Sequence, residues 1–236
     1  MGTKEIVCLG HIVGGGNIKP DPSKIKAMAE YPLPVPKKDL KCFLGMIGYY
    51  RRFIQHFSKI TSSLTEMLKK GKPNRLQWTE PFVSAFQTLR STLLSKPILI
   101  TPNFDLPFIV QTDASNRTIG AVLSQDISDV EHPIAFLSRK LLPPEQNYST
   151  VEKECLAIVW AIDSLKYYLS GYKFTVETGH DPLTWLYRMK DKNQRLLRWS
   201  LTLLLKSLYS DTKILSKYIP LTETIINDGF SNSENV

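Results

Sequence analysis

Three acidic side chains stand at places where an acid is costly or purposeful: Asp113 in PFIVQTD, Glu154 in VEKECLAIVWAI and Asp228 in TIINDGFS. Phe108, Val110 and Thr112 alternate with Ile109, Gln111 and Asp113, so Asp113 closes one face of a strand that reads as buried. A strand-end aspartate is also an ordinary turn residue. Glu154, at ~100° per residue, lies roughly 70° from the centre of its helix's apolar stripe, so its carboxylate borders whatever the helix packs upon. In that place it requires a cation or a hydrogen-bond donor, unless it stretches to solvent. Asp228 precedes Gly229, a common turn pair. Cation ligation or hydrogen bonding is the chemistry open to these acids, and none of them specifies it alone. A fourth place is conspicuous for what it lacks: in FTVETGHDPLTWL, Gly179 falls where the strand's last inward-facing side chain belongs.

The elements that hold these residues follow from periodicity. PFIVQTD, TIGAVLSQ and HPIAFLSR are β-rich runs parted by turn residues, which predicts a three-strand antiparallel meander. Ser149 and Glu152 fit a capping box opening a long helix. Val151, Cys155, Ile158, Val159, Ile162, Leu165 and Leu169 form its stripe, with Glu152 turned farther towards solvent than Glu154. KFTVET reads as a further strand. Asp181 and Pro182 then suit the N-cap and first position of a helix, and NQRLLRWSLTLLLKSL is a last helix. The first half differs. EIVCLGHIV is a short strand candidate ending in Gly14, Gly15 and Gly16. A proline-punctuated stretch encloses PSKIKAMAEY, after which Leu40, Phe43, Leu44 and Ile47 recur at helical spacing, TSSLTEMLKKGK makes a short basic helix and PFVSAFQTLRSTLL a longer one.

Charge divides the chain in the same way. The whole carries a formal net charge of +8, but residues 1–96 hold 16 Lys and Arg against 6 acids, and the remainder 14 against 16. A basic half implies a polyanionic partner, or serves solubility alone. Arg51, Arg52, Lys59, Lys69, Lys70 and Lys72, with Tyr49, Tyr50 and Phe53 between them, are candidates to track phosphates. Those aromatics equally suit a plain helical core. Three scattered cysteines (Cys8, Cys42, Cys155) and four histidines without metal-site spacing indicate neither a disulfide framework nor a zinc module. The sequence shows no signal-peptide layout and no long apolar run, and Ile6 breaks a myristoylation pattern. The expectation is a soluble, intracellular protein, cytoplasmic or nuclear, with no membrane partner.

Several long motifs occur in order: CLGHIVGGGNIKPDPSKIKAM, LKCFLGMIGYYRRFIQHFSKIT, QTDAS with GAVLSQ, HPIAFLSRKLLPPEQNYSTVEKECLAIVWAI, and KFTVETGHDPLTWL. On these residues the chain resembles the Pol polyprotein of gypsy-type LTR retrotransposons over about residues 5 to 205. The resemblance implies an α/β class, a ribonuclease H-like mixed sheet flanked by helices and preceded by a small helical thumb-like domain. It sets residues 1–19 as a remnant of the reverse transcriptase palm, 20–95 as the helical thumb or connection region and 96–232 as the ribonuclease H-like domain.

The family's nuclease holds two Mg²⁺ ions with four carboxylates. Carried over by position, Asp113 and Glu154 are the first and second, and Asp228 the fourth, in a segment where Leu221 and Asn227 depart from the family's glycine and alanine. The third belongs to a Thr-Asp-His motif that reads here Thr178, Gly179, His180, so that ligand is missing. The resemblance therefore implies a hydrolase fold for the RNA strand of an RNA/DNA hybrid, impaired at Gly179, with Mg²⁺ or the more tolerant Mn²⁺ as cofactor. Asp181, Glu177 and His180 are poor substitutes by reach or chemistry. No Tyr-x-Asp-Asp is present, so polymerisation is not expected of this chain alone, and a palm supplied by another chain is the corresponding partner. RNA/DNA hybrid or template-primer duplex is the expected nucleic acid. The alternative is a noncatalytic nucleic-acid-binding or interaction module from a decayed or domesticated element.

Overall fold

The computed structural model describes residues 5–95, 98–179, 186, 188, 194–208 and 216–218. The first half opens with three short antiparallel strands, β1 (Glu5–Cys8), β2 (His11–Gly14) and β3 (Asn17–Pro20), followed by helices α1 (Pro22–Ala29) and α2 (Lys37–Tyr49). Asp21 caps α1 by accepting the Ser23 N–H at 2.9 Å, one residue before the proline that begins the helix. A 3₁₀ turn at Arg51–Phe53 and a left-handed His56 (φ 53°) interrupt the run that follows α2, and α3 (Phe57–Glu66) then starts in a new direction. The sequence placed TSSLTEMLKKGK in a basic helix of its own. Its first six residues instead complete α3, whose buried Thr61 and Leu64 fix it to the core. α4 (Glu80–Leu94) closes the unit around Leu40, Phe43, Ile47, Phe86 and Leu89.

After β4 (Leu99–Ile100), which pairs with β3, the second half forms β5 (Phe108–Ala114), β6 (Thr118–Ile127) and β7 (Val130–Lys140), the expected antiparallel meander. A bulge at Leu123/Ser124 shifts the register of the β6–β7 ladder. Short α5 (Pro143–Gln146) leads to α6 (Thr150–Ser164), then α7 (Lys166–Leu169), β8 (Phe174–Thr178), α8 (Gln194–Leu208) and β9 (Ser216–Tyr218). The capping box at α6 is present: the Ser149 hydroxyl accepts the Glu152 N–H and Glu152 accepts the Ser149 N–H at 2.9 Å. β8 returns parallel to β5, giving the order β7-β6-β5-β8-β9. A mixed sheet results because the crossover through α6 makes a parallel neighbour while tight turns make the meander antiparallel. Phe108, Val110, Leu123 and Val176 on one face meet Cys155, Ile158, Ala161 and Ile162 of α6 to form the core.

The two halves are joined along β7. Arg52 donates to the Ile134 carbonyl at 3.3 Å, the Ser58 N–H donates to the Ser138 hydroxyl at 2.9 Å, and the Lys140 ammonium donates to the Ser62 carbonyl at 3.3 Å and to the Thr65 hydroxyl. Phe136 packs into the helical core. The β3–β4 ladder is a second tie, since it pairs residues 17–18 with 99–100. A boundary drawn at residue 95 or 96 thus separates segments that share a sheet.

Candidate active site and nucleic-acid surface

Alternation along β5 puts Asp113 on the face opposite Val110 and Thr112, exposed at the carboxyl end of the strand. The β5–β8 register sets Thr112 against Thr178, so one further step brings Gly179 alongside Asp113. Glu154 arrives at the same strand end from α6. The Ala114 N–H donates to its carboxylate, and only 4% of the residue is exposed. Burial first, and then the Asp113 charge, push the Glu154 carboxyl up to about 7, with the Ala114 bond pulling the other way. The structure therefore brings Asp113 and Glu154 together and shows Glu154 turned into the sheet. Asp228, Asp181 and His180 lie outside the described residues.

Glu177, two residues back on the Gly179 face of β8, is committed elsewhere. Gln111 lies opposite it in the register and donates through one amide nitrogen to Glu177 at 3.1 Å and to Glu131 at 3.3 Å, while the Ser124 hydroxyl also bonds Glu131. This network sits two residues behind Gly179 and is already tied to Gln111. Among the described residues no three His, Cys, Asp or Glu side chains gather as a metal-holding group. Mg²⁺ takes six oxygens at about 2.1 Å and loses its waters reluctantly. Among the described residues, two carboxylates with a glycine in the third place are too few anionic ligands for a pair of such ions.

One expectation at the helix start is corrected. Glu152 does not turn out to solvent: its carboxylate, 16% exposed, takes the Ser149 cap and an ion pair from Arg195, whose guanidinium lies 4.0 Å from the Tyr148 ring centroid and 5.6 Å from that of Trp199. Helix α8 supplies that cation, and nothing local in the α6 sequence announces it.

The basic candidates have different fates. Arg51, Lys59, Lys69, Lys70 and Lys72 are exposed, while Arg52 is half-buried against β7. Lys69 pairs with Glu66 at 2.6 Å, and Gly71, at φ +86°, turns the chain so that Lys37 caps the Lys69 and Lys72 carbonyls. Of the interleaved aromatics, Tyr50 and Phe53 are buried in the helical core, 2% exposed each, and cannot stack on bases. Tyr49 is 54% exposed, its hydroxyl donating to the Leu9 carbonyl at 2.5 Å. The core reading of those two rings is the correct one.

Sequence reasoning missed His56. It enters from the helical half, yet the Asp113 charge acts on its imidazole, partly offsetting the surrounding chain's desolvation, which lowers its pKa most; Lys59 lowers it too. Its neighbour Ser58 bonds Ser138, and Ser138, Gly120 and Asp113 occupy one lateral row of the sheet. Nothing in a lone histidine 57 positions before Asp113 signals that placement; only the β7 docking produces it.

Comparison with known proteins gives this geometry a family setting. Residues 103–205 match the family described as "RNase H-like domain found in reverse transcriptase". The chain is 41% identical over 228 residues to the retrovirus-related Pol polyprotein from transposon 297 of Drosophila melanogaster, a match covering 97% of the chain and 20% of the relative. It is 43% identical over 205 residues to that of transposon opus (83% and 20%) and 38% identical over 239 residues to that of transposon gypsy (97% and 22%), both from the same organism. The chain thus spans about a fifth of the length of these curated relatives. Among solved structures, the foamy viral protease-reverse transcriptase in complex with RNA/DNA hybrid superposes with a TM-score of 0.76 at 17% identity, over 99% of the chain and 32% of that protein. The same enzyme in complex with double-stranded DNA, in its dRH form, gives 0.75 at 18% identity, over 91% and 38%.

Proposed function

We infer, for a chain homologous to gypsy-type LTR-retrotransposon Pol polyproteins and carrying their RNase H-like domain, that it binds RNA/DNA hybrid or related duplex and that its hydrolytic site is disabled at Gly179. The observation carrying this reading is the β5–β8 register, whose last pair, Thr112 with Thr178, leaves the side-chain-free Gly179 next in line with Asp113. Cleavage by two ions needs anionic ligands to hold both in place, one to activate water and one to stabilise the leaving oxygen. Of the described carboxylates, Asp113 and Glu154 would hold one ion, and the nearby Glu177 is bonded to Gln111. Binding is supported by the basic first half and by the solved relative that holds an RNA/DNA hybrid. Exposed Arg51, Lys59, Lys70 and Lys72 supply phosphate contacts without base preference.

A catalytically competent nuclease is the second reading, favoured by the retained approach of Asp113 and Glu154. A labelled RNA/DNA hybrid decides between them when incubated with the unaltered chain, Gly179→Asp and Asp113→Asn, in Mg²⁺ and then in Mn²⁺. Cleavage by Gly179→Asp alone supports the disabled site. Cleavage by the unaltered chain that Asp113→Asn abolishes overturns it and means that another ligand serves in place of the third carboxylate.

A further inference from the structure

Away from Asp113, a cleft of ≈ 440 Å³ opens where the 3₁₀ turn of the helical half meets the edge strand β7 and the outer side of α6. Arg51 and Arg52 stand on one wall, Trp160, Ser164 and Tyr168 on the other, and residues 135–139 of β7 form the floor. β7 is a terminal strand of its sheet, so its second edge carries no strand partner among the described residues.

The charges in this cleft are unequal in availability. Arg139 is committed, with a two-pronged pair to Glu145 at 2.6 and 3.0 Å, and its guanidinium lies 5.7 Å from the Trp160 ring centroid. The Arg51 guanidinium has no hydrogen bond among the described residues, its backbone carbonyl alone accepting the Ile54 N–H at 3.1 Å. Arg52 spends one nitrogen on the Ile134 carbonyl, while its Nε–H is buried with no acceptor among the described residues. A buried guanidinium N–H without an acceptor is unfavourable, which an anion entering the cleft would relieve. Arginine's planar fork matches the oxygens of a phosphate ester, and the half-buried indole and phenol opposite suit the flat body such a group carries in a nucleotide.

We propose that this cleft is a phosphate-ester site, in which Arg51 and Arg52 hold the anion and Trp160 and Tyr168 receive the attached nucleoside. The ligand is a free nucleotide or one phosphodiester of a nucleic-acid strand. The site deepens the nucleic-acid reading given above and rests on it only if the strand is the source.

The test titrates the full chain with adenosine monophosphate, with a five-residue oligothymidylate and with a pentaglutamate peptide, following tryptophan fluorescence. Trp160→Phe assigns the signal, and RNA/DNA hybrid binding is measured in parallel. A phosphate-bearing probe is expected to saturate the signal, and Arg51→Ala and Arg52→Gln to weaken it at least tenfold, whereas the distant, exposed Lys38→Ala leaves it unchanged. Response to the monophosphate identifies a free-nucleotide site; response to the oligomer alone identifies a strand contact. The Arg51 side chain makes no hydrogen bond to a described residue, so Arg51→Ala tests the idea even if Arg52→Gln disturbs the β7 contact. The proposal is overturned if neither phosphate probe binds, if Arg51→Ala binds as the unaltered chain does, or if the acidic peptide binds equally well. Hybrid binding that persists through such a failure removes this site and leaves the proposed function standing. A probe response without hybrid binding does the reverse.

Discussion

Replacing Glu154 with glutamine isolates what it takes to keep a carboxylate beneath α6. The residue is 4% exposed, and burial with the Asp113 charge raises its carboxyl from the ordinary 4.5 to about 7. At ~1.4 kcal/mol per decade, that displacement corresponds to roughly 3 kcal/mol of lost stability once the group is ionised in both folded and unfolded chains. The sign follows from proton binding: between pH 4.5 and 7 the folded chain holds more protons than the unfolded one, so this contribution falls as pH rises and is flat above. Glu154→Gln keeps the shape and an acceptor for the Ala114 N–H while removing the charge. Urea unfolding at pH 5 and pH 8 should show the variant near the unaltered chain at the lower pH and more stable by roughly 2–3 kcal/mol at the higher. Asp113→Asn, which removes the smaller cause only, should give a smaller gain in the same direction. Equal stability differences at the two pH values would refute the assignment, because no other group changes between the two chains.

Arg195→Ala should destabilise the chain by about 1–3 kcal/mol, since it strips Glu152 of its cation and the Tyr148 ring of its guanidinium. Thermal unfolding with loss of α8 before the sheet is the expected record. Gln125→Leu should destabilise by roughly 2–4 kcal/mol in urea unfolding: the buried amide accepts the Asn103 N–H at 2.9 Å and donates to the Asn103 and Leu106 carbonyls at 2.6 and 3.0 Å, all left unpaired by leucine. Hybrid binding through four exposed cations should weaken with salt along a log–log slope of about −3 to −4. Each of Lys59→Ala and Lys70→Ala should reduce that slope by about 1, and a flat salt response would exclude phosphate tracking.

The parts of this fold legible in the sequence are those set by local rules. Alternation in PFIVQTD, the Ser149–Glu152 box and the short helix in PSKIKAMAEY each act within a few residues, and each stands in the structure as read. Glu154 was legible for the same reason, because its angle to an apolar stripe is a property of one helix. What escaped depends on pairings far apart in the chain. The Arg195–Glu152 pair spans 43 positions and the Ser58–Ser138 contact 80, and no periodicity encodes them. The aromatic run at Tyr49, Tyr50 and Phe53 was ambiguous because a base-stacking stripe and a core stripe share one spacing. Only the packing of Tyr50 and Phe53 against the helical core separates them.

Gly179 and the raised Glu154 carboxyl belong to one electrostatic argument. A side chain at position 179 stands one strand from Asp113, a spacing of ~5 Å, at which two like charges repel by roughly 3 kcal/mol with an effective dielectric near 20. Asp113 is exposed, so solvent and salt reduce this to about 1–2 kcal/mol. In Gly179→Asp the third carboxylate therefore adds repulsion to a site that already keeps Glu154 from ionising freely, and a divalent cation is what relieves it. The variant should unfold at a lower temperature than the unaltered chain at pH 8 in low salt. It should also recover more on addition of millimolar Mg²⁺ than the unaltered chain gains, because binding to the folded state alone adds stability in proportion to the logarithm of ligand concentration over Kd. Equal Mg²⁺ responses in the two chains would mean that position 179 does not face the Asp113 carboxylate, and the register argument would fail with it.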